Sequence, residues 1–252
     1  MKVIVAVMGL AGVAHGEPGM WAIPAVGAGV ARLSVEADLG RHHEFEPLSV
    51  APDLAIGLSE RWGLVLQHSR AAAAELGAGN GLCVIGPHET LDMTAATCES
   101  RESGVGAMAL ARIAPILIGR GGLIVRDVQS FQLAVAVGAV ASPRRGRWWA
   151  VVAPTLVSGV TERAAGNLDR LQVPLYLGVS FARCELHVRT GIDGTLQTFG
   201  ETFAIPLGLG ASVELGRISV GVDATLDKAF GPLNATAWRS AAIYVETSVG
   251  RS

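Results

Sequence analysis

Two stretches decide the fold: LQVPLYLGVSF, residues 171–181, and FAIPLGLGASV, residues 203–213. In the first, Leu171, Val173, Leu175, Leu177, Val179 and Phe181 recur at every second position, with Gln172, Pro174, Tyr176, Gly178 and Ser180 between them. In the second, Phe203, Ile205, Leu207, Leu209, Ala211 and Val213 alternate with Ala204, Pro206, Gly208, Gly210 and Ser212. A strict period of two puts each set on its own face of a β-strand. One face is then an unbroken aliphatic strip, and the other is small or polar. A soluble sandwich would carry bulky charged residues on its solvent face. Aliphatic residues outward with small and polar ones inward describe instead the wall of a membrane barrel.

The same alternation extends in both directions. Ile218, Val220, Val222, Ala224 and Leu226 oppose Ser219, Gly221, Asp223 and Thr225, and Ala241, Ile243, Val245, Thr247 and Val249 oppose Ala242, Tyr244, Glu246 and Ser248. Leu186 and Val188 oppose Glu185, His187 and Arg189. Past Ala28 the chain divides into segments of about ten residues, the length a tilted strand needs to cross a bilayer. Strands are expected near 29–38, 48–58, 62–69, 104–113, 121–128, 131–142, 148–158, 171–181, 184–192, 203–214, 217–226 and 240–249. The weakest stretch is 114–122, apolar where a turn is required, so ten strands stands as the alternative to twelve. Links alternate between short (59–61, 143–147, 182–183, 215–216) and long (40–47, 70–103, 161–169, 193–202, 227–239). Short periplasmic turns alternating with longer outer loops give the same barrel. Trp62, Trp148, Trp149 and Phe181 fall at short-link ends, and Phe131, Phe203 and Trp238 at long-link ends, as two interfacial girdles would. The fold class is all-β: a closed, antiparallel, up-and-down transmembrane β-barrel.

Composition agrees. Half of the 252 residues are apolar and 17% are charged, with a mean hydropathy of +0.42, yet no run of about 20 apolar residues could cross as a helix. The net charge of −2 comes with no basic face of the kind that binds nucleic acid. Lys2, the apolar run 3–14 and Ala14-His15-Gly16 read as a secretory signal peptide, residues 1–16, leaving residues 17–252 as the barrel. Export to the outer membrane fits three cysteines, and Cys83 with Cys98 would close a loop of about 15 residues, leaving Cys184 over.

Pro47-Leu48-Ser49-Val50-Ala51-Pro52-Asp53, then Trp62-Gly63-Leu64-Val65-Leu66-Gln67-His68-Ser69 and the Gly81-Leu82-Cys83 loop, resemble phrases of porin-like bacterial outer-membrane β-barrel proteins. The nearest pattern is that of uncharacterised exported barrels from myxobacteria-like Gram-negative bacteria. The resemblance spans nearly the whole mature chain as a pattern and holds no catalytic signature. It implies the fold and the membrane, and no substrate. One departure is the end: such barrels usually close on an aromatic residue, whereas this chain closes on Val249-Gly250-Arg251-Ser252.

On this facing assignment Arg32, Glu36, Asp53, Arg126, Glu185, His187, Arg189, Asp223 and Glu246 point inward and line the lumen. Ionisable groups at membrane depth need water or a partner, so they either mark a pathway or brace the wall by pairing. Twelve strands tilted near 40° give a backbone radius of about 12 Å, which glycine and alanine would not fill. A water-filled channel and a loop-plugged lumen both follow, and charges of both signs imply weak ion selectivity. His42-His43-Glu44-Phe45-Glu46 could bind zinc or copper but reads better as a solvated loop. His68 and Ser69 are adjacent, so on a strand they point apart and cannot share a catalytic proton. Gly77-Ala78-Gly79-Asn80-Gly81 lacks the Lys-Ser/Thr of a phosphate loop, Asn234-Ala235-Thr236 is uninformative in a bacterium, and Arg144-Arg145-Gly146-Arg147 is a basic turn. No catalytic residue, metal or cofactor is expected. The expected function is a passive pore or small-solute channel set among outer-membrane lipids. The alternatives are a non-conducting structural or binding barrel that presents its outer loops and, behind it, a lipid-acting hydrolase.

Overall fold

A computed structural model describes residues 22–39, 45–68, 82–85, 105–126, 130–232 and 234–250. Its strands are β1 (Ala28–Leu39), β2 (Phe45–Gly57), β3 (Trp62–Gln67), β4 (Leu82–Ile85), β5 (Val105–Ala114), β6 (Leu117–Val125), β7 (Leu133–Ala141), β8 (Arg144–Arg145), β9 (Trp148–Val152), β10 (Thr155–Gly159), β11 (Arg170–Phe181), β12 (Cys184–Thr195), β13 (Ile205–Leu215), β14 (Ile218–Phe230) and β15 (Ala235–Gly250). Every pairing between them is antiparallel. β4 lies beside β2, and β8 is the stub of a hairpin with β9. The remaining strands form a ring in which β9 and β10 are two halves of one wall, so the barrel has twelve walls.

The ring closes along β1 and β15, paired without a shift from Ala28↔Gly250 to Leu39↔Arg239. The split wall comes from Pro154, which has no N–H to give a ladder. β9 pairs with β11 through Val152↔Leu175, and β10 reaches both β7 and β11 through Thr155. Backbone bonds bridge the gap: the Ala153 N–H donates to Pro174 O at 3.1 Å, and the Ala139 N–H donates to Pro154 O at 3.0 Å. A barrel in lipid cannot leave such groups unpaired.

Alternation of burial marks the two faces. Leu209, Val137 and Ile243 stand 65%, 61% and 58% exposed, whereas the inward Ala136, Val151 and Tyr244 are buried. The inner face is bulkier than its glycines suggest. In β5, Met108 and Leu110 point inward, and the small Ala107 and Ala109 point outward. Leu110, Val65, Ile118, Val140, Trp149, Val151 and Tyr176 form one apolar cluster inside the barrel toward its short-link end, with Ile23 packed into it ahead of β1.

Two expectations shift. Strand β6 begins at Leu117, four residues before the expected 121, because 115–116 alone makes the turn and the apolar run after it is wall. Trp149 is not a girdle residue. Its neighbour Trp148 faces outward at 60% exposure, so Trp149 must face inward, where it is 4% exposed. Short links are 58–61, 115–116, 142–147, 182–183 and 216–217, all at one end, and 160–169 and 196–204 lie at the other.

Candidate functional site: the barrel interior

Strand register sets the inner residues in rows. One row runs Trp149, Gly178, His187, Gly210, Asp223, Ala242 and Glu36 through successive cross-strand partners. Ser180, Glu185, Ser212, Gly221, Tyr244 and Ser34 make the next, and Glu246, Arg32 and Asp53 the one beyond it toward the short-link end. Glycine alternates with large side chains for a steric reason. A Cβ on Gly178 would lie 2.1 Å from the Trp149 ring, one on Gly210 2.1 Å from Asp223 Oδ1, and one on Gly221 2.1 Å from the Tyr244 ring. Each glycine is the floor on which a neighbour's side chain lies flat.

The nine residues assigned inward from sequence lie on β1, β2, β12, β14 and β15, with Arg126 just past the end of β6. Arg32, Glu36, Asp53 and Arg126 are buried, and Glu185, His187, Arg189, Asp223 and Glu246 are partly so. They are not scattered. Arg32 donates to Glu246 Oε2 from Nη2 at 2.7 Å and from Nε at 3.1 Å, and its guanidinium lies 4.5 Å from the centre of the Tyr244 ring. Asp53, directly across from Arg32, accepts the His68 backbone N–H at 2.6 Å. Nε2 of His187 is 2.8 Å from Asp223 Oδ1, with its ring 5.9 Å from Trp149 and 5.8 Å from Tyr176. The Arg189 guanidinium lies 5.7 Å from the centre of the Tyr176 ring. Ser180 donates to Glu185 at 3.0 Å.

At the long-link end Arg126 meets the loop 160–169. Its Nη1 donates to Asn167 Oδ1 at 2.9 Å and to Leu168 O at 2.8 Å. Asn167, fully buried, donates in turn to Leu133 O at 2.8 Å and Thr161 O at 2.6 Å. Gly166, at φ 98°, makes the left-handed step that turns Asn167 inward. The loop is tied again by Asp169, which accepts from Arg163 at 2.8 and 2.9 Å, Ser158 at 2.7 Å and Gln197 at 3.1 Å. The hydrogen bonds from Arg163, and then that from Ser158, hold the Asp169 carboxyl well below the usual carboxylate range. The loop therefore folds over the mouth and does not hang free of it.

Sequence reasoning missed Arg120 and Trp149, and it set Gln172, Tyr176 and Tyr244 on the inward face without giving them a part in the lumen. Arg120 is buried between β5 and β7 and donates to Ala153 O at 2.9 Å and to the Thr155 hydroxyl. Its surroundings, Gly119, Gly121 and Gly122, carry no side chains from which a facing could be read. Tyr176 and Tyr244 were legible, since each falls on the polar register of its strand. The Trp149 indole Nε1 is buried without a hydrogen-bond partner among the described residues.

Other candidates stay apart from this interior. Cys184 is a free, exposed thiol. Cys83 lies in β4 and Cys98 outside the described residues, so their pairing is outside them too. His42, His43, Glu44, Ser69, residues 77–81 and residues 1–16 also lie outside. Among the described residues no group of three or more metal-ligating side chains converges.

No protein family matches the sequence, and no curated protein matches it. Solved structures do. The KdgM porin superposes with a TM-score of 0.51 at 8% identity, over 86% of this chain and 98% of that one. The KdgM porin in complex with disordered oligogalacturonate gives 0.51 at 7% identity over the same shares. OmpT, an outer membrane protein of Vibrio cholerae, gives 0.41 at 9% identity over 89% of this chain and 100% of that one. At such identities the KdgM likeness is one of fold: this chain is a closed, twelve-stranded antiparallel barrel.

Proposed function

We propose that the protein is an exported outer-membrane channel of narrow bore for ions or small polar solutes. The observation that carries this reading is the uneven exposure of the interior. Asp223 on β14 and Glu246 on β15 keep 22% and 18% of their side chains exposed inside the barrel, whereas the apolar cluster from β3 to β11 is buried. The passage runs beside that cluster and is lined by Glu185, His187, Arg189, Asp223 and Glu246, the residues best placed to meet a solute. The long aliphatic outer strip supports a lipid setting, since apolar patches of this extent are rare on soluble monomers. Residues 1–16 would direct export. The likeness to a porin solved with oligogalacturonate makes a saccharide one solute class to try.

Single-channel recording of the detergent-refolded mature chain in a planar bilayer tests this. Small, steady ohmic steps are expected, with weak ion selectivity because charges of both signs face the passage. Insertion without any conductance would sink the channel. The second reading, a non-conducting barrel that presents its outer loops, would then gain, and the buried cluster with Ile23 seated in it is the observation in its favour.

A further inference from the structure

The charges outside the barrel are not evenly spread. Among the described residues the short-link end carries seven exposed arginines against one exposed carboxylate, Glu60. Hydrogen bonds link these links into a continuous rim. The Arg112 N–H donates to Arg61 O at 2.8 Å, and Ser180, at the foot of β11, donates its N–H to Arg147 O at 2.8 Å. Glu214 donates its N–H to Arg183 O at 2.7 Å, and the Thr247 hydroxyl donates to Arg217 O at 3.2 Å. Arg144 and Arg145 stand in the hairpin stub beside Arg147, and all seven side chains are exposed. Among the described residues none of them forms an ion pair.

The neighbours of this rim say what it meets. Trp62, Trp148 and Phe181 are exposed at the same level, and Ile113, Ile116 and Leu215 extend the aliphatic outer strip up to it. The Arg147 guanidinium lies 5.7 Å from the centre of the Trp148 ring. Exposed tryptophan beside arginine, directly above an apolar wall, is the profile of the headgroup level of a bilayer. Guanidinium groups there present paired N–H donors to phosphate oxygens, and neighbouring positions lie close enough for their fields to add within a Debye length of about 8 Å.

We propose that this arginine belt binds the phosphates of anionic glycerophospholipids in the leaflet facing the short links, and so selects the lipid around the barrel. The proposal rests on the membrane reading above. Its chemistry is that of a negatively charged headgroup: a zwitterionic lipid brings an ammonium group that repels the belt, and a soluble acidic partner would leave the tryptophans and the aliphatic edge uncovered.

The test is to reconstitute the full chain in nanodiscs made from equal parts phosphatidylcholine and phosphatidylglycerol, with a trace of lipid A, and to measure the retained lipid by native mass spectrometry. Folding is read separately from the shift in gel mobility of the unheated barrel. About fivefold enrichment of phosphatidylglycerol is expected, on the scale of one near-surface arginine per headgroup. It should fall to parity in a variant carrying R112Q, R145Q, R147Q, R183Q and R217Q, and return when the same positions are lysine. Should the glutamine variant fail to fold, raising the salt on the unaltered protein must remove the enrichment instead. Equal retention of both glycerophospholipids by the folded, inserted protein would overturn the proposal and leave the barrel in its membrane. Preference for lipid A would also overturn it, by assigning the belt to the other leaflet. Failure to enter any of the discs would overturn the membrane reading itself.

Discussion

The inner glycines hold the arrangement of the lumen at the scale of single residues. Gly178 is paired with both Trp149 and His187 and leaves the space in which the indole lies. A methyl group there meets ring carbons of a side chain that is itself packed among Leu110, Val140 and Tyr176. The ring has nowhere cheap to go. Gly178→Ala is therefore expected to cost about 1–3 kcal/mol, the range of an overpacked core, measured by urea unfolding of the barrel in vesicles. In a Trp149→Ala background the same change should cost little, because the clash is with one side chain, and the two effects should fail to add. An unchanged midpoint for Gly178→Ala alone would mean that the indole does not lie where the register puts it. Residues of this kind are half legible in sequence. His187 and Tyr176 declare their face by falling between aliphatic neighbours, but nothing in a lone Gly178 says that it seats an indole arriving from another strand.

Strands and loops show which parts of the pattern carry a facing. In β13 the aliphatic residues are unbroken, so the outward face is plain from sequence, and Leu209 stands at its middle. Leu209→Arg is expected to destabilise the vesicle-inserted barrel by about 2–4 kcal/mol, the range for arginine on a lipid face at mid-depth; a neutral result would argue that water bathes this face. Strand β5 reads the other way round, with its larger residues inside. Period two separates the faces but does not say which is inner. Where alanine and methionine alternate, volume and hydropathy point in opposite directions. The start of β6 was obscured for a related reason: Pro115-Ile116 is as apolar as the wall it joins, so no polar residue announces the turn. The mouth loop 160–169 was legible only as a long link. Its closure depends on Asp169, whose carboxyl is held ionised below its ordinary range by Arg163 and Ser158. A depressed carboxyl contributes stability fully above its unfolded value of about 3.9 and loses it only as pH falls through the lower folded value. Pepsin should therefore leave the loop intact near pH 4 and begin to cut it only in stronger acid. Asp169→Asn, lacking the charge at any pH, should be cut throughout. Cleavage of the unaltered loop beginning at pH 4 would contradict this order.

For the whole molecule the question is how much of the barrel is tube. A twelve-stranded ring of about 12 Å backbone radius would conduct generously if its inner face were as small as its glycines. The interior is instead divided lengthwise. On one side are the buried apolar residues from Val65 round to Tyr176, and on the other the partly exposed charges of β12–β15. Apolar packing of this kind excludes ions for the same reason that it stabilises the wall, since a bare charge among such side chains has no hydrating partner. On the channel reading, flow is set by the width left beside Trp149, which belongs to both the buried apolar cluster and the His187 row. Trp149→Ala should raise single-channel conductance several-fold while leaving the sign of the weak ion selectivity unchanged, because it removes bulk and no charge. His187→Gln should leave conductance close to that of the unaltered channel, since it changes the Asp223 contact with little change in volume. If conductance follows His187 and ignores Trp149, charge and not bulk limits the passage. If both variants stay silent in a bilayer that holds the folded barrel, the buried cluster is a plug and the molecule acts through its outer surfaces.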